Sequence, residues 1–390
     1  MNVVDVLKRL VEFPSYQVSL DRVEDGMKEC ASFLSQSLEA SGFNVETDEL
    51  FTVTGERRFN GEKSFLLNTH FDTVPPSSQW SDANEPRLEG NRLIGLGSSD
   101  AKGGIAAILS VLSQLDSCRF GKLIVQFVNY EDNSIEFQGR RRLGTPYFLS
   151  NHPDFKADYG MNVEPTVVDD EWTVSLGCTG RVSFSVTTVG KEAHSSTPHL
   201  GRNAIYNMAR VIEEIRRIPP GRFKIDGFEG EMPINVATIQ GGRALNIVPE
   251  QCKITCERRI FPNEDPQKII ETIRSQLEDL PDIKTVCDFG SEIQPPYLVE
   301  RDHEVVSLVV DSAFRKLGYR PRLRVGLGRT DSMYLHHLAG IKTVIMGPGN
   351  KGHVIGEFIS VDRLNEFVEI LENVLRNDSE TGNVSLRALA

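Results

Sequence analysis

Short apolar runs that break off on a histidine or a carboxylate punctuate the first half of this chain, with helical patterns between them. SFLLNTH (64–70) leads to AKGGIAAILSVLSQL (101–115), KLIVQFVNYED (122–132) leads to a helix-like stretch near 140–150, and YGMNVEP (159–165) closes the series. Runs this short and this apolar suit strands buried on both faces. Strands alternating with helices are how parallel neighbours connect. The pattern predicts a layered α/β domain.

From about residue 177 the pattern changes. TGRVSFSVTTVG (179–190) alternates apolar and polar residues, as a strand with one wet face does, and RNAIYNMARVIEEIRRI (202–218) is an amphipathic helix. INVATIQGG (234–242) and ALNIVPEQCKITCERRI (244–260) read as two strands about a Gly-Gly turn. A helix at 265–280 and a short strand near 283–289 complete a β-α-β-β-α-β order, that of a ferredoxin-like α+β sandwich. After Pro295 and Pro296 the first pattern returns, with a helix at 303–317, an apolar strand in KTVIMGPG (342–349) and a last helix at 361–376. One domain made of 1–176 and 291–390 therefore encloses another at 177–290, which suits a chain of 390 residues, too long for a single core. The polar stretch 378–389 lacks a periodic face and is expected to fray.

Composition narrows the function. Six scattered cysteines without a C-x-x-C pair give neither a disulfide framework nor a thiolate metal site, so any metal must be held by His, Asp and Glu. A formal charge of −12 argues against nucleic acid and anionic lipid as partners. No run approaches the roughly 18–20 uninterrupted apolar residues that cross a bilayer. The start, MNVVDVLKRLVEF, carries acidic residues and has apolar positions at helical spacing rather than a basic, apolar, small-residue leader, which predicts a docking helix and a cytoplasmic protein.

In open α/β sheets, ligands collect beyond the carboxyl ends of the parallel strands. The polar residues at and just past those ends are His70 and Asp72, then Asp100 in the loop GLGSSD, Glu131 and Asp132, Glu164, and finally His353 in VIMGPGNKGH. Each has an ordinary explanation alone: Asp100 could cap the next helix, and Glu164 could be a loop residue before Pro165. Together they form the imidazole and carboxylate set that a metal site without thiolates needs. GLGSSDAKGG is glycine-rich but lacks the Gly-Lys-Ser/Thr ending of a phosphate loop; its glycines rather let the backbone turn to deliver Asp100.

With HFDTVP, GLGSSDAKGGIAA, NYEDN, NVEPT, GKEAHSSTPHLGRNAI and TVIMGPGNKGH in this order, the chain resembles the co-catalytic zinc hydrolases that include acetylornithine deacetylase, succinyl-diaminopimelate desuccinylase, aminoacylase and carboxypeptidase G. The resemblance runs along nearly the whole chain. It implies a zinc-exopeptidase-like three-layer α/β catalytic domain with an inserted ferredoxin-like dimerisation domain, a homodimer formed through that insertion, and two divalent ions, zinc first, with cobalt or manganese as alternatives. It further implies that Asp100 bridges the ions, that His70 and Glu164 complete one and Asp132 and His353 the other, that Glu131 is the general base, and that Asp72 orients His70. The family usually has two adjacent glutamates where this chain has Glu131-Asp132, which leaves Glu136 as a rival ligand. His194 would reach the reaction oxyanion from the neighbouring subunit, while His199 is structural. Arg259, with Arg258 as fallback, would bind the free carboxylate of a small-molecule substrate, and Asn246, Arg329 and the backbone at 347–349 are weaker candidates.

The implied reaction is hydrolysis of an N-acyl amino acid, of deacetylase or desuccinylase type, with a metallo-exopeptidase, either carboxypeptidase or dipeptidase, as the alternative. A scaffold that had lost its chemistry should lack ligands or base, and none of those positions is vacant here.

Overall fold

The computed structural model of the chain describes residues 1–225, 228–278, 280–290 and 293–376, and the stretch 378–389 expected to fray lies outside them. Two compact units are present: 1–176 with 299–324 and 330 onward, and 177–298 with 325–329. The second junction falls at Leu298 rather than near 290. The reason is that Pro295 and Pro296 do not end the pairing: Ile293 and Gln294 register with Val182 and Arg181, and Tyr297 and Leu298 with Cys178 and Gly177.

In the first unit the strands lie in the order Asn44–Thr47, Val53–Arg58, Lys122–Val128, Ser64–His70, Tyr159–Asn162, Thr343–Ile345 and Thr173–Cys178. The four from Lys122–Val128 to Thr343–Ile345 are mutually parallel, with His70 opposite Val128 and Asn68 and Ile345 both opposite Asn162. Their carboxyl ends therefore open onto one edge. Leu66 and Ile124 face Leu335 and Ile341, while the alternate residues Phe65 and Leu67 are equally buried, so both faces are covered. This is why these strands read as unbroken apolar runs.

The helices follow from their periodicity. Val361–Leu375 buries Leu364, Phe367, Ile370, Leu371 and Val374 on one stripe, and Ser360 caps its start by accepting from the amide of Arg363. Lys102–Leu112, apolar all round, is buried along its whole length. Its glycines are needed for close approach: a Cβ on Gly104 would stand 2.5 Å from Val163 Cγ1, and one on Gly103 2.6 Å from the Ser98 carbonyl oxygen. A small separate sheet of Arg87–Glu89, Arg92–Ile94 and Phe358–Ser360 launches the loop that carries Asp100, so that loop does not leave the main sheet. Residues 140–142, expected within a helix-like stretch, instead pair with Ile135–Phe137 as a hairpin ahead of the helix Gly144–Asn151.

The inserted unit has the ferredoxin-like order Ile234–Gly241, Gln251–Ile260, Gly180–Val189, Lys284–Asp288, all antiparallel. Helices Ala204–Arg217 and Pro266–Glu278 contribute Met208, Val211, Ile215, Ile270, Ile273 and Leu277 to a core with Val182, Phe184, Val186 and Ile254. The Gly-Gly turn expected at 241–242 is longer, because residues 242–250 run beside the Ala193–Ser195 segment before the next strand begins: Val248 N–H donates to Ala193 O at 2.8 Å. A hairpin of Gly221–Ile225 and Phe228–Met232 was not legible in the pattern.

Candidate metal centre

His70 ends its strand and Asp72 comes two residues later, Glu131 and Asp132 lie just past Val128, Glu164 just past Asn162, and His353 past Ile345. Four parallel strands thus deliver these residues to one edge of the first unit, and the loop Gly95–Asp100 delivers Asp100 to the same place. His70 Nε2 stands 3.2 Å from Asp100 Oδ1, and His353 Nε2 stands 3.7 Å from Asp100 Oδ2 and 3.2 Å from Asp132 Oδ2. Asp100 is therefore between the two imidazoles. Glu136, the rival for Asp132, is exposed in the hairpin opposite Arg141, and it is Asp132 that meets His353.

The Asp72 carboxylate, fully buried, has more to hold than a histidine. It accepts the backbone N–H of Glu131 at 3.0 Å on Oδ1, and on Oδ2 the N–H of Asp132 and of Asn133 at 3.1 Å each and Asn133 Nδ2 at 2.9 Å. His70 Nδ1 lies 2.9 Å from the Asp72 main-chain oxygen and 3.6 Å from the carboxylate. Of the two, the main-chain oxygen is the one at hydrogen-bond distance; the carboxylate is turned to the loop that carries Glu131 and Asp132.

Burial pushes the Glu164 carboxyl well above the ordinary range, and the charges of Glu131, Asp100 and Asp331 add to the shift against the opposing charge of His70. Burial likewise raises Asp132, against the hydrogen bond from His353. Asp100 is held below its ordinary value despite burial, through the hydrogen bond from His70 and the charges of both histidines. His353 is raised to about 9, chiefly by its hydrogen bond to Asp132. A pocket whose carboxylates disfavour one another's ionisation is short of positive charge, and divalent ions would supply it.

The spacing of the donor pairs agrees with that demand. Two ligands held at about 2.0–2.1 Å by one tetrahedral ion stand about 3.3 Å apart, close to the observed 3.2 Å pairs. Among the described residues no three donors yet surround one point as a closed cage, because the imidazoles hydrogen-bond the carboxylates directly. By donor chemistry and pair spacing, the residues fit a metal pair.

Two buried acids here escaped the sequence reading. Asp331, 2 % exposed at the start of the helix Asp331–Ala339, lies in the same GRTDS stretch as Arg329. Glu357, also 2 % exposed, accepts the backbone N–H of Ser99 at 2.9 Å and of Asp100 at 3.0 Å. Its one sequence signal is a glutamate four residues past His353, immediately before an apolar strand.

The remaining candidates lie in the inserted unit. His194 is exposed, with Nδ1 2.8 Å from Ser196 Oγ, and its strand-like segment pairs with Ile247 beside Asn246, whose carbonyl accepts from the Ser195 N–H at 3.0 Å. His199 is exposed too, in the short 3-10 turn Pro198–Leu200. Arg259 donates through Nε to Glu257 at 2.9 Å, whereas Arg258 is buried and closed by Glu264 at 2.7 Å. Arg258 is thus a structural ion pair. Arg329 is half-buried in the Val325–Arg329 stretch.

Residues 176–284 match the family model described as the peptidase dimerisation domain. The chain is 27% identical over 351 residues to the acetylornithine deacetylase of Myxococcus xanthus, covering 84% of this chain and 86% of that one. It is 26% identical over 385 residues to the succinyl-diaminopimelate desuccinylase of Wolinella succinogenes, covering 96% and 98%. In structure it is similar to a tripeptidase from Staphylococcus aureus, with TM-score 0.74, 21% identity and 96% of both chains covered. A dinuclear metal binding peptidase of the M20 family from Bacillus subtilis aligns with TM-score 0.68, 14% identity and 95% and 96% covered.

Proposed function

We propose, for a chain that shares the fold of the M20 metallopeptidases and carries their dimerisation domain, that it hydrolyses the amide bond of N-acyl amino acids by means of a dinuclear metal centre. The observation that carries this reading is the position of Asp100 between the Nε2 atoms of His70 and His353. His70 and Glu164 on one side of Asp100, and Asp132 and His353 on the other, would hold two divalent ions, zinc by preference. Bound there, such ions supply polarisation of the carbonyl and a water of lowered pKa.

Glu131 takes the proton of the attacking water and passes it to the departing amine nitrogen, which a carboxylate fixed by its own main-chain N–H to Asp72 is placed to do. The deacetylase and desuccinylase names of the full-length relatives support an N-acyl substrate. We assign His194 to the oxyanion, supplied by a partner copy in a homodimer, and Arg259, whose Nη atoms make no hydrogen bond among the described residues, to the substrate carboxylate. Asn246 and Arg329 are secondary contacts.

A second reading, a metallo-exopeptidase, is supported by the likeness to a tripeptidase. Purified protein with added zinc, incubated with N-acetyl and N-succinyl amino acids beside dipeptides and tripeptides, separates the two: release of amine from the acyl series is expected, and cleavage of peptides alone overturns the first choice. Glu131→Gln should abolish turnover while leaving bound zinc unchanged. A fully active dilute monomer would contradict the role given to His194.

A further inference from the structure

We propose that Glu357 is a positioning residue that fixes the bridging carboxylate Asp100 from behind, an inference that rests on the metal-centre reading above. Glu357 grips the Asp100 loop at both ends. Its main-chain oxygen accepts from the Gly95 N–H at 3.0 Å, extending the register in which Phe358 faces Ile94. Its side-chain Oε1 accepts from Ser99 N–H at 2.9 Å and Asp100 N–H at 3.0 Å. The six-residue reversal between those points is therefore closed by one residue.

The opposite side of the loop is closed by the segment that carries His353. A Cβ on Gly349 would stand 2.1 Å from the Ser99 carbonyl oxygen, one on Gly352 would stand 2.4 Å from Asp100 Oδ2, and the Asn350 N–H donates to Ser99 Oγ at 2.9 Å. Ser99 and Asp100 thus lie between residues 349–352 and Glu357, two parts of the same stretch. A carboxylate buried near Asp100 is costly unless its oxygens are satisfied. Here two amides satisfy Oε1. Fixing the Asp100 amide restrains the direction of its Cα–Cβ bond, which a carboxylate that would hold two ions needs. His70 is set by the strand it ends, whereas Asp100 sits on a loop and needs this hold.

The test uses the full-length chain stripped with EDTA and titrated with zinc alone, against Glu357→Gln and Glu357→Met. Gln keeps a neutral acceptor for the two amides and Met keeps the length but no acceptor. Zinc affinity is expected to fall severalfold in Glu357→Gln and about 10–100-fold in Glu357→Met. In the zinc-free variants, peptides spanning 95–105 should exchange amide hydrogen faster in the same order while the rest of the chain is unchanged. A flat series, with wild-type zinc affinity and wild-type protection in both folded variants, overturns the proposal. If Glu357→Met does not fold, Glu357→Gln decides by the same two readouts. A wild-type chain that fails to take up two zinc ions overturns the metal-centre reading directly, before any variant is compared, and this proposal falls with it.

Discussion

Replacing Asp72 with asparagine tests whether one buried carboxylate organises the loop of the proposed base. Four donors point at it: Glu131 N–H at Oδ1, and Asp132 N–H, Asn133 N–H and Asn133 Nδ2 at Oδ2. An asparagine can keep its oxygen at the Oδ2 site and so retain three of the four, but its NH2 then faces the Glu131 N–H in a site with no exposure. One buried donor left facing a donor costs about 1–3 kcal/mol. The three retained bonds lose their charge assistance, which roughly halves their strength; from about 1.5 kcal/mol each, that is about another 2 kcal/mol in all. The sum is about 4 kcal/mol. The chain has two tryptophans, Trp80 and Trp172, both buried in the first unit, so urea unfolding followed by their emission in EDTA reports that unit alone. With an m-value of about 2–3 kcal/mol/M, the midpoint should drop by about 1.5 M. Turnover of an N-acyl amino acid should fall about 100-fold, because the base rides on the loosened loop. A midpoint within about 0.2 M of wild type together with near-normal turnover would refute the reasoning.

Gly352→Ala should weaken zinc binding at least tenfold and cost about 1–3 kcal/mol by the same urea assay, since its Cβ would stand 2.5 Å from Asp100 Cβ and 2.4 Å from Oδ2; Gly318→Ala, a left-handed helix cap at φ 77° with nothing within 4 Å, should cost only about 1 kcal/mol. Burial raises Asp48 to about 6 even though Leu50 and Thr52 N–H donate to it. Its folded pKa lies above the unfolded value, so the folded state holds the extra proton and this contribution to stability declines as pH rises from about 4 to about 6. Asp48→Asn should abolish that decline, and its stability relative to wild type should gain about 1–2 kcal/mol across the window, after discounting the full shift for partial exposure; parallel pH profiles would count against it. Burial pushes the Cys30 thiol up to about 12, so iodoacetamide at pH 8 should leave Cys30 unmodified in the native protein and label it in urea, as read by peptide mass spectrometry.

The positions of His70, Glu131, Asp132 and Glu164 were legible because they depend on local patterns. An apolar run ending in a polar residue marks the end of a buried strand, and four such ends in parallel share an edge. The ferredoxin-like insertion was readable for the same reason, its strand Gln251–Ile260 alternating buried and exposed residues along most of its length. The extra hairpin of Gly221–Ile225 with Phe228–Met232 and the longer 242–250 connection were not, since short polar strands carry little periodic signal.

Residue types and their order along the chain were enough to place imidazoles and carboxylates at the carboxyl edge of a parallel sheet. Which main-chain groups the buried acids hold was settled only in three dimensions. Asp72 reaches amides 59 to 61 residues away and Glu357 reaches amides 257 and 258 residues away. An acid's choice between binding an ion and binding a peptide N–H depends on what folding brings within 3 Å of it, and no local spacing records that distance.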